Sequence, residues 1–315
     1  MIEIKNLSII YENFTIVEDV NLTVKKGERV GIVGESGSGK SVTALSVMKL
    51  LPGGFKVTGN VKVNHQDIYL LNERDLNSKI RWKTVSVIFQ DPSSALNPLL
   101  KIGNQIEEAI IYHEGRRKNI RESVISLLRK AAIPDAEVKY ESYPHQLSGG
   151  LKQRVMIAMA IACNPDFIIA DEPTTALDKK TEREIIFLLN NLVKEENTGL
   201  LFISHDFDVI SEITDRVYVM YAGYVMESGR TENILKTPFH PYTKGLIACI
   251  PKVEGKGKRK LPVLPGNVPD IKSKPSGCPF HPRCERAKEI CKKELPEIKE
   301  INGRGVRCFF PIAGS

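Results

Sequence analysis

Apolar and polar positions alternate through the first thirty residues: Ile2-Glu3-Ile4, Thr15-Ile16-Val17 and Leu22-Thr23-Val24, with Lys26-Gly27-Glu28 as a turn. A period of two predicts antiparallel strands with one face covered. Residues Val57–Val63 continue the pattern around Gly59-Asn60. Arg29–Val33 breaks it, reading as a buried strand that runs into a glycine-rich loop. Behind that loop Val42, Leu45, Val47, Met48, Leu50 and Leu51 predict a helix, which Pro52-Gly53-Gly54 stops. From about Asn97 to Ala162 the period becomes helical, over Gln105–Ile111, Ile120–Ala132 and Leu151–Ala162, with breaks at Pro134 and Pro144. From Asp166 strand and helix take turns. Phe167–Ala170 and Leu200–Ile203 predict buried strands, and Thr181–Val193 a helix with Thr181 and Glu184 as a capping box. Arg216–Tyr221 and Tyr224–Glu227 predict a hairpin over Ala222-Gly223. Beyond about Thr237 proline, glycine and lysine become frequent and periodicity fades, so a domain boundary is expected there. The alternation is that of an α/β fold.

The loop between the first buried strand and its helix, Gly34–Ser41, reads G-E-S-G-S-G-K-S and fits G-x-x-x-x-G-K-[ST] at every defined position. Strand, glycine loop and helix in that order let backbone N–H groups enclose a polyphosphate. The glycines permit close approach. Lys40 is placed to reach the β- and γ-phosphates, and Ser41 to put its hydroxyl on Mg²⁺. Gly34, Ser36, Gly37, Gly39, Lys40, Ser41 and Val42 are therefore candidate nucleotide contacts.

A phosphate loop serves many enzymes, and two further features narrow the chemistry. Asp171 and Glu172 follow the apolar strand Phe167–Ala170. Asp171 is placed to hold Mg²⁺ and Glu172 to accept a proton from an attacking water. The bland reading, an acidic helix cap, fits less well with Pro173 next in the chain. Ser148-Gly149-Gly150 opens the helical stretch Leu151–Ala162, and its unobstructed N–H groups make a second anion site; an ordinary serine cap is the bland reading here.

Together these residues resemble the ATP-binding subunit of an ABC transporter. Leu147–Arg154, L-S-G-G-L-K-Q-R, resembles the family's signature, with Leu151 where the family usually has Gln. Gln90 in V-I-F-Q-D-P resembles the glutamine that senses Mg²⁺ and water and faces the membrane partner. Ala176-Leu177-Asp178 resembles the D-loop, His205 in F-I-S-H-D the switch histidine, and Tyr11 the aromatic that stacks on adenine. The resemblance implies Glu172, His205 and Gln90 as catalytic residues, and Tyr11, Ser148, Gly149, Gly150 and Asp178 as nucleotide contacts. It implies Ser41, Gln90 and Asp171 around Mg²⁺. It also implies a RecA-like P-loop ATPase core with an antiparallel β subdomain and a helical signature subdomain over about 92–162.

I-F-Q-D-P-S-S-A-L-N-P at Ile88–Pro98, A-D-E-P-T-T-A-L-D at Ala170–Asp178, H-P-Y-T at His240–Thr243 and C-P-F-H-P-R-C at Cys278–Cys284 resemble the oligopeptide/dipeptide/nickel importer branch. On that resemblance residues 1–236 are the nucleotide-binding domain and 237–315 a C-terminal extension. Five of the six cysteines lie in the extension, and four of them cluster towards its end, spaced C-x5-C-x6-C-x16-C as Cys278, Cys284, Cys291 and Cys308. Four thiolates hold either tetrahedral zinc or an iron–sulfur cluster. The close C-x2-C pairs of zinc ribbons are absent, and relatives with this tail resemble [4Fe–4S] carriers, so the cluster is the preferred reading and zinc the alternative. His281 is expected near the ligands without being one. Cys163 and Cys249, alone in apolar surroundings, are expected in the core. No tail residue is expected in the nucleotide site.

Composition adds bounds. The chain has 315 residues, 42% hydrophobic and 26% charged, and no apolar run approaches the roughly 20 residues of a membrane span. Met1–Lys5 does not read as a signal peptide. The net charge of +7 is partly concentrated in Lys252–Lys260, read as a solvated linker, with no pattern for nucleic acid beside it. The resemblance implies an ATPase on the cytoplasmic face of a membrane, driving uptake of di- or oligopeptides. Its partners would be a second ATPase subunit (a non-identical paralogue, or a homodimer), two permease subunits and, indirectly, a solute-binding protein. A nickel or other small-solute importer is the alternative within the branch. A non-transport ABC ATPase acting on nucleic acid or ribosomes is the alternative outside it.

Overall fold

The computed structural model describes residues 1–115, 118–250 and 264–312; the lysine-rich Lys252–Lys260 lies outside them. The chain forms two compact units. One contains Met1, Val24–Glu28 and Val63–Ile203; the other contains Ile2–Thr23, Arg29–Lys62 and Ser204–Ser315.

In the first unit Val85–Ile88, Phe167–Asp171 and Gly199–Ser204 run parallel in that order, with Ser86 opposite Ile168 and Ile169 opposite Leu201. All three strands are buried along their length. That is why they read as continuous apolar runs and not as alternation. The helices Ile102–Glu114 and Ile120–Lys130 bear out the helical period. The helix Gly149–Ile161 buries Val155, Met156, Ile157, Ala158, Ala160 and Ile161, nearly all round its circumference. The helix expected at Thr181 starts earlier, at Lys179, and runs to Glu195. Asp178 caps it, accepting hydrogen bonds from the Lys180 and Thr181 N–H groups at 3.1 and 3.0 Å. Thr181 and Glu184 lie inside the helix, so the expected capping box is corrected to a single Asp cap.

In the second unit Phe14–Val24, Ile2–Tyr11 and Phe55–Val63 are neighbours in that order. The two short strands read between Thr15 and Val24 are one strand, with Asp19 at φ 49° interrupting the alternation. Arg29–Val33 pairs parallel with Arg216–Tyr221, which turns through Ala222 and Gly223, both at positive φ, into the antiparallel Tyr224–Arg230. Two left-handed residues are what a tight hairpin turn requires. The helix after the glycine loop spans only Lys40–Ser46, because Lys49 turns left-handed at φ 52°.

Parts of the described residues beyond Thr237 carry regular elements that the fading periodicity does not predict. Pro241–Ala248 is a helix. Arg304–Val306 adds to Tyr224–Arg230, with Glu227 opposite Val306, and Lys299–Ile301 pairs outside it. Three-residue strands are too short to show a period. Buried Glu227 accepts hydrogen bonds from the Phe239 and His240 N–H groups, both at 2.9 Å, and pins the start of H-P-Y-T to this sheet. Burial raises its carboxyl above the usual range, against those two backbone donors.

Candidate functional site

The phosphate loop lies in the second unit. Lys40 is 5% exposed, and its ammonium donates to the Gly34 carbonyl at 2.8 Å and the Glu35 carbonyl at 3.0 Å. The ammonium thus sits at the loop mouth, held by carbonyls that a phosphate oxygen can replace. A Cβ on Gly34 would meet the Met220 carbonyl at 2.1 Å, and one on Gly39, at φ 92°, would meet Val17 at 2.8 Å. Both glycines are required by close approach and backbone conformation, as the loop motif demands. Thr43 anchors the helix behind the loop by donating to the Gly39 carbonyl at 2.8 Å. Tyr11 is 40% exposed and packs on Phe55 with ring centroids 4.7 Å apart. His205 is exposed and follows the strand Gly199–Ser204 directly.

The first unit carries two separate groups, Gln90 with Asp171 and Glu172, and Ser148–Gly150 with Asp178. Asp171 is 7% exposed at the end of its strand. Glu172 stands at φ 45°, its N–H held by the Ile203 carbonyl at 3.0 Å. Its Oε2 accepts from Gln90 Nε2 at 3.2 Å and from Thr175 Oγ1 at 3.0 Å. Two donors on one oxygen orient the carboxylate. Thr175 was missed by sequence reasoning, although it stands in the quoted A-D-E-P-T-T-A-L-D.

Ser148 caps Gly149–Ile161, its hydroxyl accepting from the Leu151 N–H at 3.4 Å. A cavity of about 450 Å³ opens there, lined by Ser148, Gly149, Gly150, Leu151, Leu177 and Asp178 among others. A Cβ on Gly150 would come within 2.6 Å of Thr181. The signature and the D-loop therefore share one recess. The hydroxyl and backbone N–H of Thr181 hold the Asp178 carboxyl below its usual range.

The four tail cysteines converge. Cys278, Cys284, Cys291 and Cys308 line one small cavity with His281, Phe280, Phe309 and Phe310. Burial pushes the Cys278 thiol up to about 12 and the Cys308 thiol to about 11, and the neighbouring cysteines push the same way. His281 Nδ1 lies 3.0 Å from the Cys278 carbonyl. Among the described residues, no three His, Cys, Asp or Glu side chains are arranged to hold a single metal ion. Cys163 is buried as expected, whereas Cys249 is half-buried and lines a different cavity, with Arg283 and Leu264.

One expectation is overturned. Arg283, between Cys278 and Cys284, reaches the phosphate loop: Nη1 and Nη2 donate to the two Glu35 carboxylate oxygens at 2.7 and 3.1 Å. The segment had been read for its cysteines alone, and nothing in its spacing marks the arginine.

A fold with this loop, this acidic strand end and this signature recess defines an ABC-type ATPase, and the comparisons with known proteins agree. The family described as "ABC transporter" matches residues 17–175, and "Oligopeptide/dipeptide transporter, C-terminal region" matches residues 226–291. The chain belongs to the ABC transporter family, as an ATPase subunit coupled to transport. It is 42% identical to the oligopeptide transport ATP-binding protein OppD of Salmonella typhimurium, over 99% of this chain and 94% of that one. It is 43% identical to the oligopeptide transport ATP-binding protein AppD of Bacillus subtilis, over 98% and 96%. Among solved structures, the dimeric bacterial ABC transporter cassette MJ0796 is similar with a TM-score of 0.66 and 33% identity, over 73% of this chain and 99% of that one.

Proposed function

We propose that this chain hydrolyses ATP to power the import of di- or oligopeptides through separate membrane permeases. The observation that carries the reading is likeness to oligopeptide transport ATP-binding proteins along 98–99% of the chain, the extension included. Among the described residues no helix is long and apolar enough to cross a membrane. Likeness to oligopeptide transport ATP-binding proteins supports the cytoplasmic face as the site of work, reached through the permeases. We assign residues 1–236 to the nucleotide-binding domain, about 92–162 to its helical subdomain, and 237–315 to the extension.

The residue roles we assign are those the family resemblance implies. The N–H groups of Gly34–Ser41 and the Lys40 ammonium hold the polyphosphate, Tyr11 stacks on the base, and Ser41, Asp171 and Gln90 supply the hard oxygen ligands that suit Mg²⁺. Glu172 takes the proton of the attacking water, and its hydrogen bond to Gln90 ties that carboxylate to a residue facing the permease. His205 is assigned to contact the γ-phosphate. Ser148–Gly150 and Asp178 contact the nucleotide held by a second ATPase subunit, either a paralogue or another copy.

The four-cysteine cavity is assigned to a [4Fe–4S] cluster. Convergence of the four thiols on a common apolar cavity supports a group held by all four. The cluster would staple the extension.

The function is tested by uptake of a labelled tripeptide into cells whose only copy of this gene carries Lys40→Ala. Uptake should fall to background while free amino-acid uptake is unchanged. Normal tripeptide uptake, or selective loss of nickel uptake instead, contradicts the peptide reading.

A further inference from the structure

Glu35, the second residue of the phosphate loop, is held by the extension from two sides. Arg283 forms a two-pronged ion pair with its carboxylate, and the Arg283 side chain is only 5% exposed. The Glu35 N–H donates to the Tyr242 hydroxyl at 3.0 Å, and Tyr242 is fully buried. On the opposite side of the same residue, the Glu35 carbonyl receives the Lys40 ammonium. Glu35 therefore joins the extension to the side chain expected to bind phosphate.

The anchor on the extension side is itself braced. Arg283 Nε donates to the Pro265 carbonyl at 2.8 Å, and Nη1 also reaches the Tyr221 hydroxyl at 3.3 Å. Tyr221, Tyr242 and Phe280 pack into one aromatic cluster, with ring centroids 4.6–5.3 Å apart. A buried, bidentate arginine–carboxylate pair fixes direction as well as distance. The loop motif itself does not call for this pair, since Glu35 stands at one of its undefined positions.

We propose that Arg283 and Tyr242 are positioning residues for the nucleotide: the C-terminal extension is a strut that sets the shape of the phosphate loop through Glu35. This rests on Gly34–Ser41 being the ATP site. The arginine lies in the turn between Cys278 and Cys284, so the condition of the cysteine loop is transmitted to the nucleotide along the same route.

The test is equilibrium titration of the full chain with Mg²⁺ and a fluorescent ATP analogue, together with KM and kcat. Arg283→Gln should weaken binding about tenfold, the scale of one lost hydrogen-bonded charge contact. The loss should appear in KM, with kcat within about threefold. Arg283→Lys, which keeps the charge without the fork, should recover part of it. Glu35→Gln combined with Arg283→Gln should be no worse than the weaker single variant, since both remove one contact. Tyr242→Phe removes only the hydroxyl facing the Glu35 N–H. It should raise KM by a few fold, and it carries the test alone should Arg283→Gln not fold. Binding within twofold of wild type in both Arg283→Gln and Tyr242→Phe, with Lys40→Ala abolishing it, overturns the strut. Unchanged binding in Lys40→Ala would instead overturn the ATP site itself.

Discussion

At the residue scale the chemistry depends on how few groups carry it and how firmly each is held. Glu172 accepts from both Gln90 and Thr175 on one oxygen, an arrangement that orients a base without neutralising it. Glu172→Gln preserves shape and removes the proton acceptor. Steady-state ATP turnover should fall by about a hundredfold or more, the usual range for losing a general base, while ATP binding stays near wild type. Filter-trapped ATP beside a phosphate-release assay reads both quantities. Near-normal turnover would refute the assignment. The motifs at Gly34–Ser41 and at Asp171 and Glu172 were legible because their chemistry demands fixed residue types in a fixed order. Arg283 was not, because an ion pair 248 residues apart in the chain leaves no mark on local spacing.

At the element scale, legibility followed burial. The strands Phe167–Asp171 and Gly199–Ser204 are covered on both faces and stood out as apolar runs. The start of Lys179–Glu195 was misplaced because Thr181 and Glu184 imitate a capping box three residues inside the helix, where Asp178 outcompetes them. The hairpin over Ala222-Gly223 was legible from its turn residues, and its glycine carries more than the turn. A Cβ there would meet the Ile16 carbonyl at 2.0 Å with φ at 91°, and the Gly223 N–H reaches the Ser38 carbonyl of the phosphate loop at 3.0 Å. Gly223→Ala should therefore destabilise by more than about 1 kcal/mol in urea unfolding. Gly53→Ala, with nothing within 4 Å of the added carbon, should be close to neutral. Equal stability of the two variants would remove the argument for close approach at this turn.

At the scale of the whole molecule two assemblies follow. Within the chain, protein purified without oxygen should be brown, with about four irons and four sulfides per chain. Cys284→Ser should bleach it and expose the extension to protease. Stoichiometric zinc and no iron from iron-replete cells would put a zinc staple there instead. Between chains, the signature recess around Ser148–Gly150 is proposed to complete the site of a neighbour, so turnover belongs to a pair. The most direct measurement mixes Ser148→Arg protein, which lacks a working signature, with Glu172→Gln protein, which lacks the base. Each alone should be nearly inactive. A mixed pair contains one doubly damaged site and one intact site, so ATP hydrolysis should return in part, in proportion to the mixed dimers detected by mass. Mixed dimers that form and hydrolyse no ATP would contradict the account.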